Sequence, residues 1–209
     1  MPTLNLKRRS IFMAASFPSG ERGDAVRPFD PLAIADAVSA LTRATFVAGG
    51  RLVFGGHPTI SPLVLLIAGE LNQSDVVDIY QSRWFSASIS VETMRMVGMG
   101  YGRIRWTDRK ESLEASLREM RVRMFQETDP IGGVFIGGMS GLYEEFELFH
   151  EYLPHRPRVP LAGPGGAASS LAADPHNIEA AMRRYAFSPQ YPAACRALLT
   201  WMDGRDALE

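Results

Sequence analysis

The stretch Val134-Phe135-Ile136-Gly137-Gly138-Met139-Ser140-Gly141-Leu142-Tyr143-Glu144-Glu145-Phe146 constrains the fold more than any other part of the chain. It reads as a buried strand, a glycine turn and a helix opened by two carboxylates. Gly137, Gly138 and Gly141 permit positive φ and a close approach of the backbone at the turn. Beyond it, Leu142, Phe146, Phe149 and Leu153 recur at helical spacing and form one apolar stripe. A strand that feeds a helix through glycines aims unbonded N–H groups above the sheet, a cradle for phosphate or carboxylate. A plain tight connection has the same pattern, so the turn must be read with the rest of the chain.

That rest repeats the strand–helix alternation. Residues 11–15 form an apolar run that ends in Ser16-Phe17-Pro18-Ser19-Gly20. Asp30-Pro31 marks a helix start, with Asp as cap and proline in the first turn, and Ile34, Val38 and Leu41 give its inward stripe. A second strand over 51–54 runs into Gly55-Gly56-His57-Pro58-Thr59-Ile60-Ser61-Pro62, where Ser61-Pro62 reads as another capped start. Residues 63–68 are apolar on all sides, as in a helix buried between the sheet and a further surface such as a second subunit. Strands follow over 76–80 and 103–106, with a short helix over 90–96 between them. Leu113, Leu117, Met120 and Met124 mark an amphipathic helix before the glycine-turn strand. A short strand over 159–161, the turn Gly163-Pro164-Gly165-Gly166, and helix starts at Asp174-Pro175 and Ser188-Pro189 complete the series. The alternation predicts an α/β, Rossmann-like, doubly wound and mainly parallel sheet with helices on both faces. Residues 1–209 read as one domain, with its core over about 11–161 and C-terminal helices over about 174–204.

A net charge of -1 over 209 residues argues against nucleic acid as a partner. Lys7-Arg8-Arg9 reads as a solvated terminal run. With Cys195 the sole cysteine, no disulfide forms within the chain, and a reducing, cytoplasmic compartment is expected. Cys195 lies on a helical stripe with Leu198, Leu199 and Met202, a core position. No run reaches the roughly 20 apolar residues that span a bilayer, so no membrane is expected. His150, His155 and His176 lack metal-ligand spacing, and neither a metal nor a cofactor is implied. The terminal Leu208-Glu209 resembles a cloning remnant, which would make the chain a piece of a longer protein.

In an open parallel sheet, ligands bind beyond the carboxyl ends of the strands. The loops leaving that edge over 16–20, 55–61 and 137–141, and a fourth with Gln81 and Arg83, supply the candidate contacts. Neither Gly-x-Gly-x-x-Gly nor a P-loop occurs. Paired glycines before two helices predict that the turns at Gly56 and Gly138 open on one shared anion site.

Gly55-Gly56-His57-Pro58 with Ser61-Pro62, and Gly137-Gly138-Met139-Ser140-Gly141-Leu142-Tyr143-Glu144-Glu145, resemble the two glycine signatures of the SLOG superfamily. That superfamily joins the lonely-guy nucleotide phosphoribohydrolases with the Smf/DprA Rossmann-like domains. The likeness runs from about residue 11 to about residue 161. It is nearest to the branch associated with TIR and nucleoside-phosphorylase-like effector domains in bacterial conflict systems. The lonely-guy enzymes carry Pro-Gly-Gly-x-Gly-Thr-x-x-Glu at this turn, whereas this chain has Ile136 for the proline. Without a gap, Gly141 replaces the threonine and Glu144 matches the glutamate. With one inserted residue, Leu142 replaces it and Glu145 matches. Either way the threonine is gone.

The resemblance implies a nucleotide-derivative sensor, for an ADP-ribose-like or cyclic signal in antiviral defence, that regulates a TIR or other effector. The alternatives are a lonely-guy-like nucleoside 5′-monophosphate N-glycosidase, with Glu144 or Glu145 catalytic, and a structural oligomerisation domain. A homo-oligomer fits all three. The expected ligand contacts are Ser16, Phe17, Gly55, Gly56, His57, Thr59, Ser61, Gln81, Arg83, Gly137, Gly138, Met139, Ser140, Gly141, Glu144 and Glu145. Main-chain amides at the two turns, with Thr59 and Ser61 hydroxyls, would hold phosphate. Arg83 either adds a bidentate phosphate contact or is a surface arginine. One carboxylate of the Glu144-Glu145 pair in the first helical turn is explained by the helix dipole alone, and the other would meet a ribose. His57 either donates to the ligand or caps its loop, and Phe17, Trp84 or Met139 would enclose a base.

Overall fold

The computed structural model describes residues 4–207. Leu208 and Glu209, read above as a cloning remnant, lie outside the described residues. The elements run β1 (Ser10–Ser16), α1 (Gly20–Asp24), α2 (Pro31–Val47), β2 (Arg51–Gly55), α3 (Ile60–Glu70) and β3 (Val77–Ser82). A 3-10 turn over Arg83–Ser88 leads to α4 (Val91–Gly98), β4 (Gly102–Thr107), α5 (Leu113–Thr128), β5 (Gly133–Gly137) and α6 (Ser140–Tyr152). The chain ends with β6 (Arg158–Leu161), α7 (Gly166–Ala173), α8 (Arg183–Ala186) and α9 (Tyr191–Asp206).

The six strands form one sheet in the order β4-β3-β2-β1-β5-β6. Every pairing is parallel, so all six carboxyl ends share one edge. The chain steps outward from β1 to β4 and then returns to β5 on the other side of β1. That reversal makes the carboxyl ends of β1 and β5 the switch point of a doubly wound fold.

Side-chain alternation along the strands builds two cores. Ile11 and Met13 of β1, with Val134 and Ile136 of β5, face α2, α3 and α9. Phe12 and Ala14, with Phe135, face α5, α6 and α7. On that second face, Phe12 meets Phe125 edge-on at 5.0 Å and stacks on Phe149 at 5.5 Å, while Phe135 meets Phe146 at 4.9 Å. Such aromatic pairs contribute roughly 0.5–1.5 kcal/mol each beyond the area they bury. They tie α5 and α6 to β1 and β5, which brings Arg121 of α5 against the start of α6.

Asp30 caps α2 as its sequence requires, accepting the Leu32 N–H at 2.9 Å. Other boundaries differ from the sequence reading. Thr59, not Ser61, precedes α3; Ser61 is its second residue, and its hydroxyl accepts the His57 N–H at 3.1 Å. Asp174 caps only the 3-10 turn Pro175–Asn177, and α9 starts at Tyr191, beyond Ser188-Pro189. The turn at Gly163 opens directly into α7, whose buried face is built from Ala167, Ala168, Leu171 and Ala172. Small residues of that kind carry little hydrophobic periodicity, which is why the helix was not legible. The five-residue α1 lacks an apolar stripe for the same purpose.

The helix dipole account of the glutamates also needs correction. α6 begins at Ser140, so Glu144 and Glu145 are its fifth and sixth residues, and no acidic group occupies its first turn. They are held by a side chain from α5 instead.

Candidate ligand crevice

A crevice with two connected lobes lies over the carboxyl edge of the sheet. The larger, about 400 Å³, spans β2 and β3 and is walled by Ile79, Phe85, Ile89, Leu117 and Met120. The smaller, about 190 Å³, lies over β1 between β2 and the start of α6. Arg22, Gly56, His57, Leu117 and Met120 border both lobes.

The smaller lobe has the character of an anion site. Gly137 and Gly138 take φ of 62° and 78°, a left-handed pair that swings the chain from β5 into α6. The Gly138 N–H donates to Ser16 O at 2.9 Å and locks the turn to β1. Past it, the N–H groups of Met139, Ser140 and Gly141 have no acceptor among the described residues. Met139 and Gly141 border the lobe. Three free amides at the positive end of a 13-residue helix form a ready anion cradle.

Arginines flank this cradle. The Arg121 guanidinium approaches Gly141 so closely that a Cβ there would lie 3.3 Å from its Nη2. Its side chain is only 7% exposed and donates to Glu145 at 3.1 Å and to Glu144 at 2.5 Å. Burial drives the Glu145 carboxyl above the usual carboxylate range, against the pull of Arg121. Arg22, exposed at the mouth, forms no ion pair or hydrogen bond with any described residue and borders both lobes.

The turn at Gly55-Gly56 contributes differently from expectation. The Gly56 N–H donates to Tyr80 O at 2.8 Å, extending the sheet, and the Ser61 N–H donates to His57 O at 3.0 Å. With the His57 amide on Ser61 and the Thr59 amide on His57 Nδ1, only the Ile60 N–H remains open. One of the two expected amide nests is therefore absent, although both turns open on the same crevice. Burial holds the His57 imidazole below its ordinary pKa, hence neutral near pH 7. The Thr59 N–H donates to Nδ1 at 3.4 Å, a bond that goes with the tautomer protonated on Nε2.

Of the residues expected at the site, Ser16, Gly55, Gly56, His57, Ser61, Gln81, Met139, Gly141 and Glu145 border the crevice. Ser140 contributes its amide from between Met139 and Gly141, while Gly137 and Gly138 are buried beneath as the hinge of the turn. Four others are directed elsewhere. Phe17 packs into the α2 side of the core, Thr59 bonds His57 from an exposed position, and Glu144 faces Arg121 from solvent. Arg83 is exposed, pairs with Asp108 at 3.6 Å and lies over the Trp106 ring.

Arg22 and Arg121 were not expected. For Arg121 a signal existed: it falls on the inward stripe of α5, next to Met120 and four residues after Leu117, where a charge needs a partner. Arg22 has no such signal.

A doubly wound parallel sheet with an amide cradle at its switch point defines a Rossmann-like, nucleotide-type binding domain. The model of the SLOG cluster3 family matches residues 26–188, and the chain belongs to that family. Membership makes it a nucleotide-related binding or processing domain. No curated protein matches the chain. Among the described residues, no helix is long and apolar enough to cross a membrane.

Proposed function

We propose that this chain is a sensor that binds a phosphate-bearing nucleotide derivative, ADP-ribose-like or cyclic, and passes its occupancy to an effector. The observation that carries this is the set of three open amides at Met139, Ser140 and Gly141 beside Arg121 and Arg22 in one crevice. The resemblance of the two glycine signatures adds the setting, bacterial antiviral defence, and the kind of effector, a linked or partner TIR domain. A homo-oligomer belongs to the same proposal. Leu66 on α3 and Met94 on the neighbouring α4 are 48% and 51% exposed and offer apolar surface for it.

Binding rather than turnover is favoured because Arg121 already engages both carboxylates. One observation favours the N-glycosidase instead. Glu145 borders the anion lobe with its pKa raised, as a group that moves protons would be.

Thermal shift and chromatography on AMP, ADP-ribose and cyclic ADP-ribose decide between them. The sensor gives a raised Tm and no free base. Adenine released from AMP, and lost in Glu145→Gln, would establish the enzyme. No shift with any of the three would leave the domain a structural one.

A further inference from the structure

We infer that Gln81 is the base-reading residue of this crevice and that it selects adenine. The inference rests on the nucleotide reading above and extends it to the larger lobe.

Gln81 lies near the carboxyl end of β3, on the same sheet face as Ile79. It is 7% exposed, yet its amide makes no hydrogen bond with any described residue. Its polar atoms are not among the buried side-chain atoms that are both closed off from solvent and without a hydrogen bond. The amide therefore opens into the cavity it borders. An amide that faces a cavity with no protein partner is free to pair with whatever enters it.

The walls say what kind of partner. Ile79, Phe85, Ile89, Leu117 and Met120 make apolar walls; of the buried polar side chains that border them, Ser61 and Thr93 already have partners and the Gln81 amide does not. That suits a flat heterocycle held by van der Waals contact and, on Phe85, by ring contact. A glutamine amide offers one acceptor and one donor side by side. Adenine presents the complement, its exocyclic N–H with an adjacent ring nitrogen, and glutamine reads it in two hydrogen bonds. The spacing agrees. From β3 across β2 and β1 to β5 is three strand spacings, about 14 Å. An extended nucleoside 5′-phosphate bridges that span, with its base on Gln81, its sugar over the ends of β2 and β1 and its phosphate on the α6 amides.

The test is calorimetric titration of wild type and Gln81→Met with four probes: AMP, purine riboside 5′-monophosphate, GMP and ribose 5-phosphate. Wild type is expected to bind AMP roughly ten- to a hundredfold tighter than the purine riboside analogue, which lacks the exocyclic amine, and tighter than GMP. In Gln81→Met that preference disappears while ribose 5-phosphate binds as before, which also shows that the variant is folded. If Gln81→Met does not fold, the wild-type ratio of AMP to the analogue decides alone. A preference kept in Gln81→Met, or equal binding of AMP and ribose 5-phosphate by wild type, overturns the assignment of Gln81 and leaves the anion site standing. Failure of all four to bind overturns the nucleotide reading and this assignment with it.

Discussion

Gly56 and Gln81 compete for the same space: a Cβ built on Gly56 would stand 1.8 Å from Gln81 Oε1 and 3.0 Å from its Cδ. The glycine is required less for its own conformation than for the amide lying over it. Gly56→Ala must push the end of a flexible side chain aside, which places the change at the low end of overpacking, about 1 kcal/mol. We expect Tm to fall by about 2–4 °C. The AMP preference should fall with it, because the amide no longer points where a base would sit. A Gly56→Ala protein with unaltered preference for AMP would show that the two residues are not coupled.

The amide cradle can be thinned by a single donor. Ser140 is the first residue of α6, where proline is well tolerated, and Met139 before it is extended at φ -122°, as a residue preceding proline prefers. Ser140→Pro deletes one N–H and is expected to leave Tm within about 2 °C while weakening phosphate binding about tenfold or more. Titration with ribose 5-phosphate is the measurement. Unchanged affinity would remove the cradle from the site.

Arg121→Met strands Glu145 at the crevice floor. Breaking such a pair is expected to destabilise the fold by roughly 3 kcal/mol near neutral pH. The deficit should shrink toward acid pH. Glu145 already has a raised pKa, so protonation relieves an unpaired carboxyl as pH falls. In wild type the same sign holds: Glu145 favours the folded state below its unfolded pKa, and that contribution is lost as pH rises through the folded value. Urea unfolding of Arg121→Met at pH 5 and pH 8 checks this, with the larger loss expected at pH 8. Glu145→Gln in the same background should restore most of it.

Asp78 predicts the opposite trend. Burial alone would raise its pKa, but Arg103, Arg51 and Arg105 all donate to it and hold it below the usual carboxylate range. Its stabilisation is complete above its unfolded pKa and disappears as pH falls through the lower, folded one. Asp78→Asn is expected to lose roughly 2–3 kcal/mol at pH 7 and less at about pH 3, below the unfolded pKa. An equal loss at both would contradict the assigned shift. The effect should leave ligand affinity unchanged, since Asp78 lies outside the crevice.

Cys195 is fully buried among Leu198, Leu199 and Met202 of α9, and burial pushes its thiol up to about 12. The thiolate is the reactive form, so no modification by a disulfide reagent is expected at pH 8 in the folded protein. One equivalent should react in denaturant. Fast labelling of the native state would mean that α9 opens readily from α2.

Local chemistry made much of this legible. Asp30-Pro31 starts a helix wherever it is placed, since the carboxylate bonds the next free amides and proline needs none. The run 134–136 followed by two glycines is a strand and a turn because its periodicity and its φ requirements lie within a few residues. The same local logic failed at α7 and at Ser61, where alanine-rich packing and a hydroxyl bonding back to His57 carry no hydrophobic pattern.

What the sequence alone determined is therefore the alternation of strands and helices, the family it belongs to, and a glycine turn with open amides before α6. The sequence predicts those of Gly137, Gly138, Met139 and Gly141, whereas the Gly138 N–H is taken by Ser16 and the Ser140 N–H is open. What only the tertiary structure decided is which side chains meet there. Arg121 approaches Glu144 and Glu145 across 23 and 24 residues of chain because α5 and α6 lie side by side on the aromatic face of the sheet. Gln81 reaches Gly56 because β3 lies beside β2. Periodicity is a property of neighbours along the chain, whereas the convergence of distant side chains depends on strand order and on which helix faces the packing brings together.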